Sequence, residues 1–415
     1  MRIGLIAIGS TGDVLPMVAL GSALRARGHV PTLYAFAQLR PLVEKAGLPF
    51  SALPGDARAF IGGIMRPGAS PFTILSRMCA ALGEAAEPLV DGLYAACAEN
   101  EAVVATYFGS IVGRLAEARG IPVVQAYYMP LDETSAFAIP AMPWVHLGAP
   151  LNRASYRLAF RLVDMLERRV AFPMLRARGV SPCQAHPGAA YPGRGALPPV
   201  LYAFSPQLVP RDPRWGAHIL MTGEWHGEVP PFSPSPALKA FLAAGDAPVY
   251  VGFGSMAEAR MAEIVPMVAQ VAEALGVRVL LAVGWGEAPA GVASSRVFLL
   301  DEYVPHAWLF QRVCAAVHHG GAGTTAEALR CGLPALAVPF GNDQYFWGDR
   351  IHRLGVGPKP LPRARLTRRA LEERMAELLG TPAYRENARR VAAAMRREEG
   401  VAVAADCVER AVRGA

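Results

Sequence analysis

The chain of 415 residues has no apolar run reaching the roughly 20 residues that cross a bilayer as a helix, because its hydrophobic stretches are short and broken by Gly, Pro and Arg. That argues against a membrane-spanning protein. It also lacks a charged block: 41 basic and 34 acidic residues give a net +7 spread along the chain, without aromatic interleaving, which argues against a nucleic-acid partner. Nearly all the basic residues are arginine, and an excess of this size suits an anionic ligand or an anionic membrane surface. Cys79, Cys97, Cys183, Cys314, Cys331 and Cys407 form no Cys-x-x-Cys pair, so reduced structural thiols are expected in place of a metal site or a disulfide framework. Neither an Asp-x-Asp nor a His-rich cluster occurs, and no metal requirement is expected. The opening "MRIGLIAIGSTGD" has no secretory cleavage pattern, which points to a cytoplasmic protein.

What is present is the composition of a globular protein, 53% hydrophobic and 18% charged, at a length that suits two domains. Residues 2–8, "RIGLIAI", end in Gly9-Ser10-Thr11-Gly12-Asp13; a helically spaced "LPMVALGSALRARG" and a strand-like "PTLYAF" follow. That is a β-α-β unit and a parallel sheet. "AVVATY" (102–107) and "PVVQAYY" (122–128) add strands to this first, doubly wound half. Residues 129–172 have another texture, apolar and Pro-rich turns followed by an amphipathic helix carrying arginines. A second Pro-rich stretch, 211–236, reads as an interdomain linker. Beyond it the β-α alternation resumes through "PVYVGFGSM", "RVLLAVG", "VFLLDEYV", "CAAVHH" and "PALAVP", giving two α/β domains in tandem, with Arg- and Ala-rich helices at 370–415.

One stretch resists a purely structural account: "HHGGAGTTAEALRCGLPALAVPFGNDQ", His318 to Gln344. Glycine inside a regular element costs roughly 0.5–1 kcal/mol relative to alanine. At the end of a strand, however, glycines let backbone N–H groups approach an anion, Thr324 and Thr325 add hydroxyl donors, and the helix beginning near Gly323 turns its positive end toward the same place. A diphosphate fits that site, with Glu327 about one turn into the helix, placed to accept hydrogen bonds from a ribose diol. Two plainer readings stand beside this one. The run could be an ordinary strand-to-helix turn with two satisfied histidines, or, since "GAGTTA" satisfies G-x-G-x-x-G/A with Asp343 about twenty residues on, a dinucleotide fingerprint. The fingerprint has no use for the histidine pair, for Glu327, or for Gln344 beside Asp343.

The segment resembles the nucleotide-sugar signature of family 1 glycosyltransferases, enzymes of the GT-B fold. "VPHAWLF…HHGGAGTTAEALRCGLPALAVPFGNDQYFWGDRIHRLGVGP", "GSTGDVLPMVALG" and "PVYVGFGSM" are most similar to the sterol glucosyltransferase-like branch, with the glycopeptide and natural-product enzymes close by. The likeness covers nearly the whole chain and is weakest from about 50 to 200. It implies an α/β protein of the GT-B fold, with two Rossmann-like doubly wound domains facing a cleft: residues 1–210 binding the acceptor, 211–236 a linker, 237–390 binding the nucleotide-sugar, and 391–415 a helix packing back on the first domain. Residue by residue, it implies that His319 contacts the donor diphosphate, helped by Gly321, Thr324 and Ser255, with Ser10, Gly12, Gly254 and Gly323 also at the donor. Tyr303 stands where plant relatives stack a tryptophan on the base and His306 where they carry a glutamine, with Val304 between, so the choice of a UDP- or a dTDP-sugar stays open. Glu327 would hold the ribose, and Asp343 with Gln344 the hexose hydroxyls.

Many members of the family deprotonate the acceptor with a histidine at the end of the first strand, oriented by an aspartate. Here Asp13 occupies that position and "AVVATYFGS" holds no orienting carboxylate, as the resemblance to the aspartate-using branches implies. Asp13 also suits a helix N-cap, and neither role excludes the other. The implied chemistry is one-step, metal-free and inverting, with a hexose passing from the nucleotide-sugar to a hydroxyl of a sterol, triterpenoid, polyketide or similar molecule; a nucleotide-sugar epimerase or an NAD(P)-dependent oxidoreductase is the alternative. Tyr127, Tyr128, Met129, Phe137, Ile139, Met142 and Trp144 are the expected acceptor wall, unless they form a core lid. Arg153, Arg157, Arg161, Arg168 and Arg169 suit a peripheral membrane contact. Monomer and homodimer stay open.

Overall fold

The computed structural model describes residues 1–56, 86–106, 109–140, 142, 145–180, 198–227, 232–254, 261–283 and 294–413. The first domain runs β1 (Arg2–Ile6), α1 (Thr11–Ala26), β2 (Val30–Phe36), α2 (Arg40–Lys45), β3 (Phe50–Leu53), α3 (86–99), β4 (Ala102–Ala105), α4 (Gly109–Arg119), β5 (Val123–Tyr127), α5 (Ala149–Arg169), α6 (Ala171–Ala177), β6 (Val200–Tyr202) and β7 (Ile219–Met221). Its seven strands, all parallel, are ordered β3-β2-β1-β4-β5-β6-β7. The near-continuous apolar runs follow from burial on both faces. Ile3, Leu5, Leu33 and Val104 pack on one side with α1, while Ile6, Tyr34, Val103 and Ala105 pack on the other.

The second domain has five parallel strands, ordered β10-β9-β8-β11-β12. Its elements are α7 (Pro236–Ala243), β8 (Val249–Gly252), α8 (Met261–Leu275), β9 (Val279–Ala282), β10 (Val297–Leu300), α9 (His306–Leu309), β11 (Ala315–His318), α10 (Ala322–Arg330), β12 (Ala335–Ala337), α11 (Gln344–Arg353), α12 (Arg368–Gly380), α13 (Pro382–Met395) and α14 (Gly400–Arg413). Strand order reverses between β1 and β4 in the first sheet and between β8 and β11 in the second. Ligands of open α/β sheets bind beyond the carboxyl ends of strands at such switch points. In this chain those ends carry Ser10–Asp13 in one domain and Gly254 with His319 in the other.

Two expected boundaries move. Ile219–Met221, inside the stretch expected as linker, is the seventh strand of the first sheet, because three residues are too few for a period to show among prolines. The break expected after residue 390 falls within α13, and the chain turns instead between Met395 and Gly400. α14 then lies along α1: Ala404, Ala405 and Val408 share a core with Val14, Met17 and Leu24. Arg27 pairs with Asp406, and the His29 ring lies 3.0 Å from Glu409. A further core holds Tyr127, Met129, Phe137 and Ile139 of the first domain against Phe346, Trp347, Ala326 and Leu329 of the second.

Candidate active site

At the end of the first strand the chain makes a capping box. Ser10 Oγ accepts from Gly12 N at 3.2 Å, and Asp13 Oδ2 accepts from Ser10 N at 2.6 Å and Ser10 Oγ at 3.0 Å. A Cβ on Gly9 would meet that carboxylate at 2.2 Å, so the preceding glycine makes room for it. Oδ1 has no side-chain donor among the described residues. Burial raises the Asp13 carboxyl to about 6 despite the bonds from Ser10 that lower it, which leaves it mostly ionised at neutral pH and basic enough to take a proton. Tyr128 donates from its hydroxyl to the Asp13 carbonyl at 2.7 Å, fixing the turn from below.

On the second domain, β11 delivers His318 and His319. His318 is fully buried, and its Nδ1 accepts from Gly320 N at 3.0 Å. Gly320 sits at φ +87°, where a Cβ would come within 2.8 Å of the Gln344 carbonyl. The next glycine, Gly321, is the N-cap of α10, and no side chain caps that helix; a Cβ there would meet His319 Nε2 at 2.5 Å. Over Gly323 a Cβ would meet nothing within 4 Å. The first-turn N–H groups of α10 therefore have no side-chain cap and the turn has room beside Gly323, an arrangement suited to an anion. Thr324 lies half-buried in that turn, whereas Thr325, fully buried, has an unpartnered Oγ1. Burial, reinforced by His306, lowers His319 to about 4. Its ring is therefore neutral at physiological pH, with Nδ1 buried and unpartnered. A Cβ on Gly254, which sits at φ +60°, would come within ordinary contact of the same ring.

Asp343 precedes α11, and its Oδ2 accepts from Trp347 Nε1 at 2.9 Å. Burial first, then the charge of Asp13, raises Asp343 to about 7, so the two carboxylates are electrostatic neighbours although 330 residues separate them in sequence. Gln344 is buried with Oε1 accepting from Phe340 N at 2.8 Å and Gly341 N at 3.2 Å; its amide NH₂ is what it has left to offer. At the other end Tyr303 is 67% exposed, an aromatic face open for stacking. Val304 packs in the core, so only its backbone is available, and His306 stacks on Phe310 at 4.7 Å while bonding the Tyr250 hydroxyl at 3.1 Å.

Other expected residues meet different surroundings. Glu327 is 8% exposed and engaged by Arg330 at 2.7 and 3.2 Å, by Cys331 Sγ at 3.4 Å and by His226 Nδ1 at 3.6 Å. A ribose contact would have to share it with those groups. Tyr127, Tyr128, Met129, Phe137 and Ile139 are all buried; Phe137 packs on Phe346 with ring centroids 4.8 Å apart, and Tyr127 donates to Gln125 Oε1 at 2.9 Å. Most of the expected acceptor wall is therefore core between the domains, with Met142 at its partly buried margin. Ser255 and Trp144 lie outside the described residues. His226 and Trp347 escaped the sequence reading: His226 sits in a Pro-rich stretch without periodicity, whereas Trp347, four residues after Asp343 and so on its helical face, carried a usable signal. Among the described residues, no group of three or more His, Cys, Asp or Glu could hold a metal ion.

Residues 3–138 match the family model described as the glycosyltransferase family 28 N-terminal domain, and 289–409 that of the erythromycin biosynthesis protein CIII-like C-terminal domain. The chain is 34% identical to O-mycaminosyltylonolide 6-deoxyallosyltransferase of Streptomyces fradiae, over 99% of its own length and 97% of the relative's. It is 32% identical to a sterol 3-beta-glucosyltransferase of Arabidopsis thaliana over 97% of its own length, spanning 64% of that relative. Among solved structures, the glycosyltransferase of kitacinnamycin superposes with TM-score 0.73 at 19% identity, covering 99% of both chains. A Streptomyces glycosyltransferase complexed with thymidine diphosphate superposes with TM-score 0.65 at 19% identity, also covering 99% of both. These structures share the fold, two doubly wound domains closed by C-terminal helices, and the curated relatives share the sequence over its whole length: the chain belongs to the glycosyltransferases of the GT-B fold.

Proposed function

We propose that this glycosyltransferase moves a hexose, with inversion, from a UDP- or dTDP-sugar to a hydroxyl of an apolar small molecule, and that Asp13 is the base. The observation that carries the reading is the pairing of the two switch points. Asp13, half-buried and raised to about 6, neighbours Asp343 in the second domain, whose α10 N-terminus and neutral His319 form an uncapped anion site. In the proposed step Asp13 Oδ1 takes the proton of the acceptor hydroxyl as its oxygen bonds the anomeric carbon. The bond from that carbon to the diphosphate oxygen breaks on the opposite face, and its electron pair leaves with the nucleoside diphosphate. The α10 amides and the His319 ring then stabilise the leaving charge by hydrogen bonding. Asp343 and the Gln344 amide hold the hexose hydroxyls, and Tyr303 stacks on the base.

The apolar acceptor is favoured by the relatives, which by name act on a tylonolide derivative and on sterols. Asp13→Asn keeps the shape and removes the proton acceptor, so turnover should fall by about 10²–10⁴-fold while calorimetry finds donor affinity within about twofold of wild type. Activity within tenfold of wild type would remove Asp13 from the role. An acceptor panel with labelled donor completes the test: sterols or polyketide aglycones should be labelled, and an oligosaccharide as best acceptor would overturn the apolar reading.

A further inference from the structure

The outer face of α5 carries leucines where a solvent-facing helix carries polar groups. Among the described residues nine large hydrophobic side chains are exposed, and four of them lie on this one segment: Leu147 (37%), Leu151 (58%), Leu158 (60%) and Met165 (42%). Leu151, Leu158 and Met165 recur every seven residues, two helical turns, and so form one stripe. The opposite face is the one that packs: Asn152, Tyr156 and Glu167 are buried, and Tyr156 joins the core between the domains. The helix is thus already satisfied on its inward side, and its apolar stripe has no partner among the described residues.

Charge says what the stripe faces. Arg153 and Arg157 share Glu133, and Arg168 pairs with Asp164. Arg161 and Arg169, both exposed, have no carboxylate partner among the described residues. A second copy laid stripe to stripe would bring those unpaired cations together, whereas an anionic surface would neutralise them. We infer that α5 is an interfacial element, lying flat on an anionic lipid bilayer with Leu151, Leu158 and Met165 below the headgroups and Arg161 and Arg169 at the phosphates. No helix among the described residues is long and apolar enough to cross a membrane, consistent with a segment that rests on the surface. This surface goes beyond the transfer reaction and does not depend on which acceptor the enzyme uses.

The test is co-sedimentation with vesicles of phosphatidylcholine containing roughly one-third phosphatidylglycerol, against phosphatidylcholine alone, with full-length protein. Wild type should pellet with the mixed vesicles at low salt, at least about tenfold less with neutral vesicles, and progressively less as salt screens the attraction. Leu151→Glu/Leu158→Glu should cut partitioning by about tenfold or more, and Arg161→Ala/Arg169→Ala by about fivefold or more. Both variants change exposed side chains, so their melting temperatures and their turnover with a water-soluble acceptor should match wild type, which separates lost docking from lost folding. Failure of wild type to pellet at low salt would overturn the inference, as would a glutamate variant that pellets like wild type. So would a sedimentation-equilibrium dimer that Leu158→Glu dissolves while no vesicle binding is found, since a second copy would then be what covers the stripe.

Discussion

Asp13 and Asp343 titrate as neighbours, and the order in which they do so decides how the reaction responds to pH. Asp13 ionises first, at about 6, raised by burial. Asp343 follows at about 7, raised by burial and then by the charge already on Asp13. As the proposed base, Asp13 works only when ionised, so kcat/KM should be lost as pH falls through about 6 and level out above it, in a profile recorded from about pH 5 to about pH 8. Near pH 6 Asp343 is still largely protonated, so Asp343→Asn should leave that limb in place while weakening donor binding. In Asp13→Asn, by contrast, the neighbouring charge is gone, and the Asp343 carboxyl, followed by NMR, should titrate below 7. An acid limb that moves with Asp343→Asn and stays in Asp13→Asn would assign the base to the wrong carboxylate.

Among the elements, the proposed reading divides the donor between two helix starts: α10, which begins uncapped after His319, for the phosphates, and α11, which begins at Asp343, for the sugar. His319→Ala should therefore weaken the free nucleoside diphosphate by about tenfold, the order of a lost hydrogen bond to a charged group, whereas Asp343→Ala should spare the diphosphate and weaken the intact nucleotide-sugar. Calorimetry with both ligands checks the division, and equal losses in both variants would remove it. Much of the fold around these helix starts was legible in sequence, because β1 with its glycine turn and the His318–Gln344 run are local patterns in which glycines, cap residues and helix starts stand at fixed spacings. What was not legible is set by distant contacts. Glu327 looks free one turn into α10, but one of its partners, His226, comes from within the expected linker, about a hundred residues earlier. Phe137 and Ile139 look like pocket wall, and only the arrival of Phe346 makes them core.

At the scale of the whole molecule, the crossing back of α14 accompanies a half-buried acidic cluster where the two domains and the last helix meet. Ser205 donates from its backbone to Glu224 Oε1 at 3.3 Å and from its hydroxyl to Glu398 Oε1 at 2.6 Å. Gly400 closes against the same place: a Cβ there would come within 2.3 Å of the Glu224 carbonyl. Burial, aided by the charges of Glu398 and Glu327, raises Glu224 from 4.5 to about 8, with Arg330 opposing. The folded chain therefore holds a proton that the unfolded chain has released anywhere between those two values. Stability from this group is complete below about pH 4.5 and declines as pH rises toward 8. Glu224→Gln keeps an oxygen that can accept from Ser205 and has no charge to bury. It should match wild type near pH 4.5 and exceed it by about 1–2 kcal/mol at pH 8, after discounting for partial solvent access. Urea unfolding at the two pH values, with the midpoints compared at equal slope, measures this. If the variant loses the same stability at both, the cluster acts through hydrogen bonding to the carboxyl group and its ionisation is immaterial; if it gains only at the higher pH, proton release at this junction is what weakens the closed arrangement of domains and C-terminal helix in alkali.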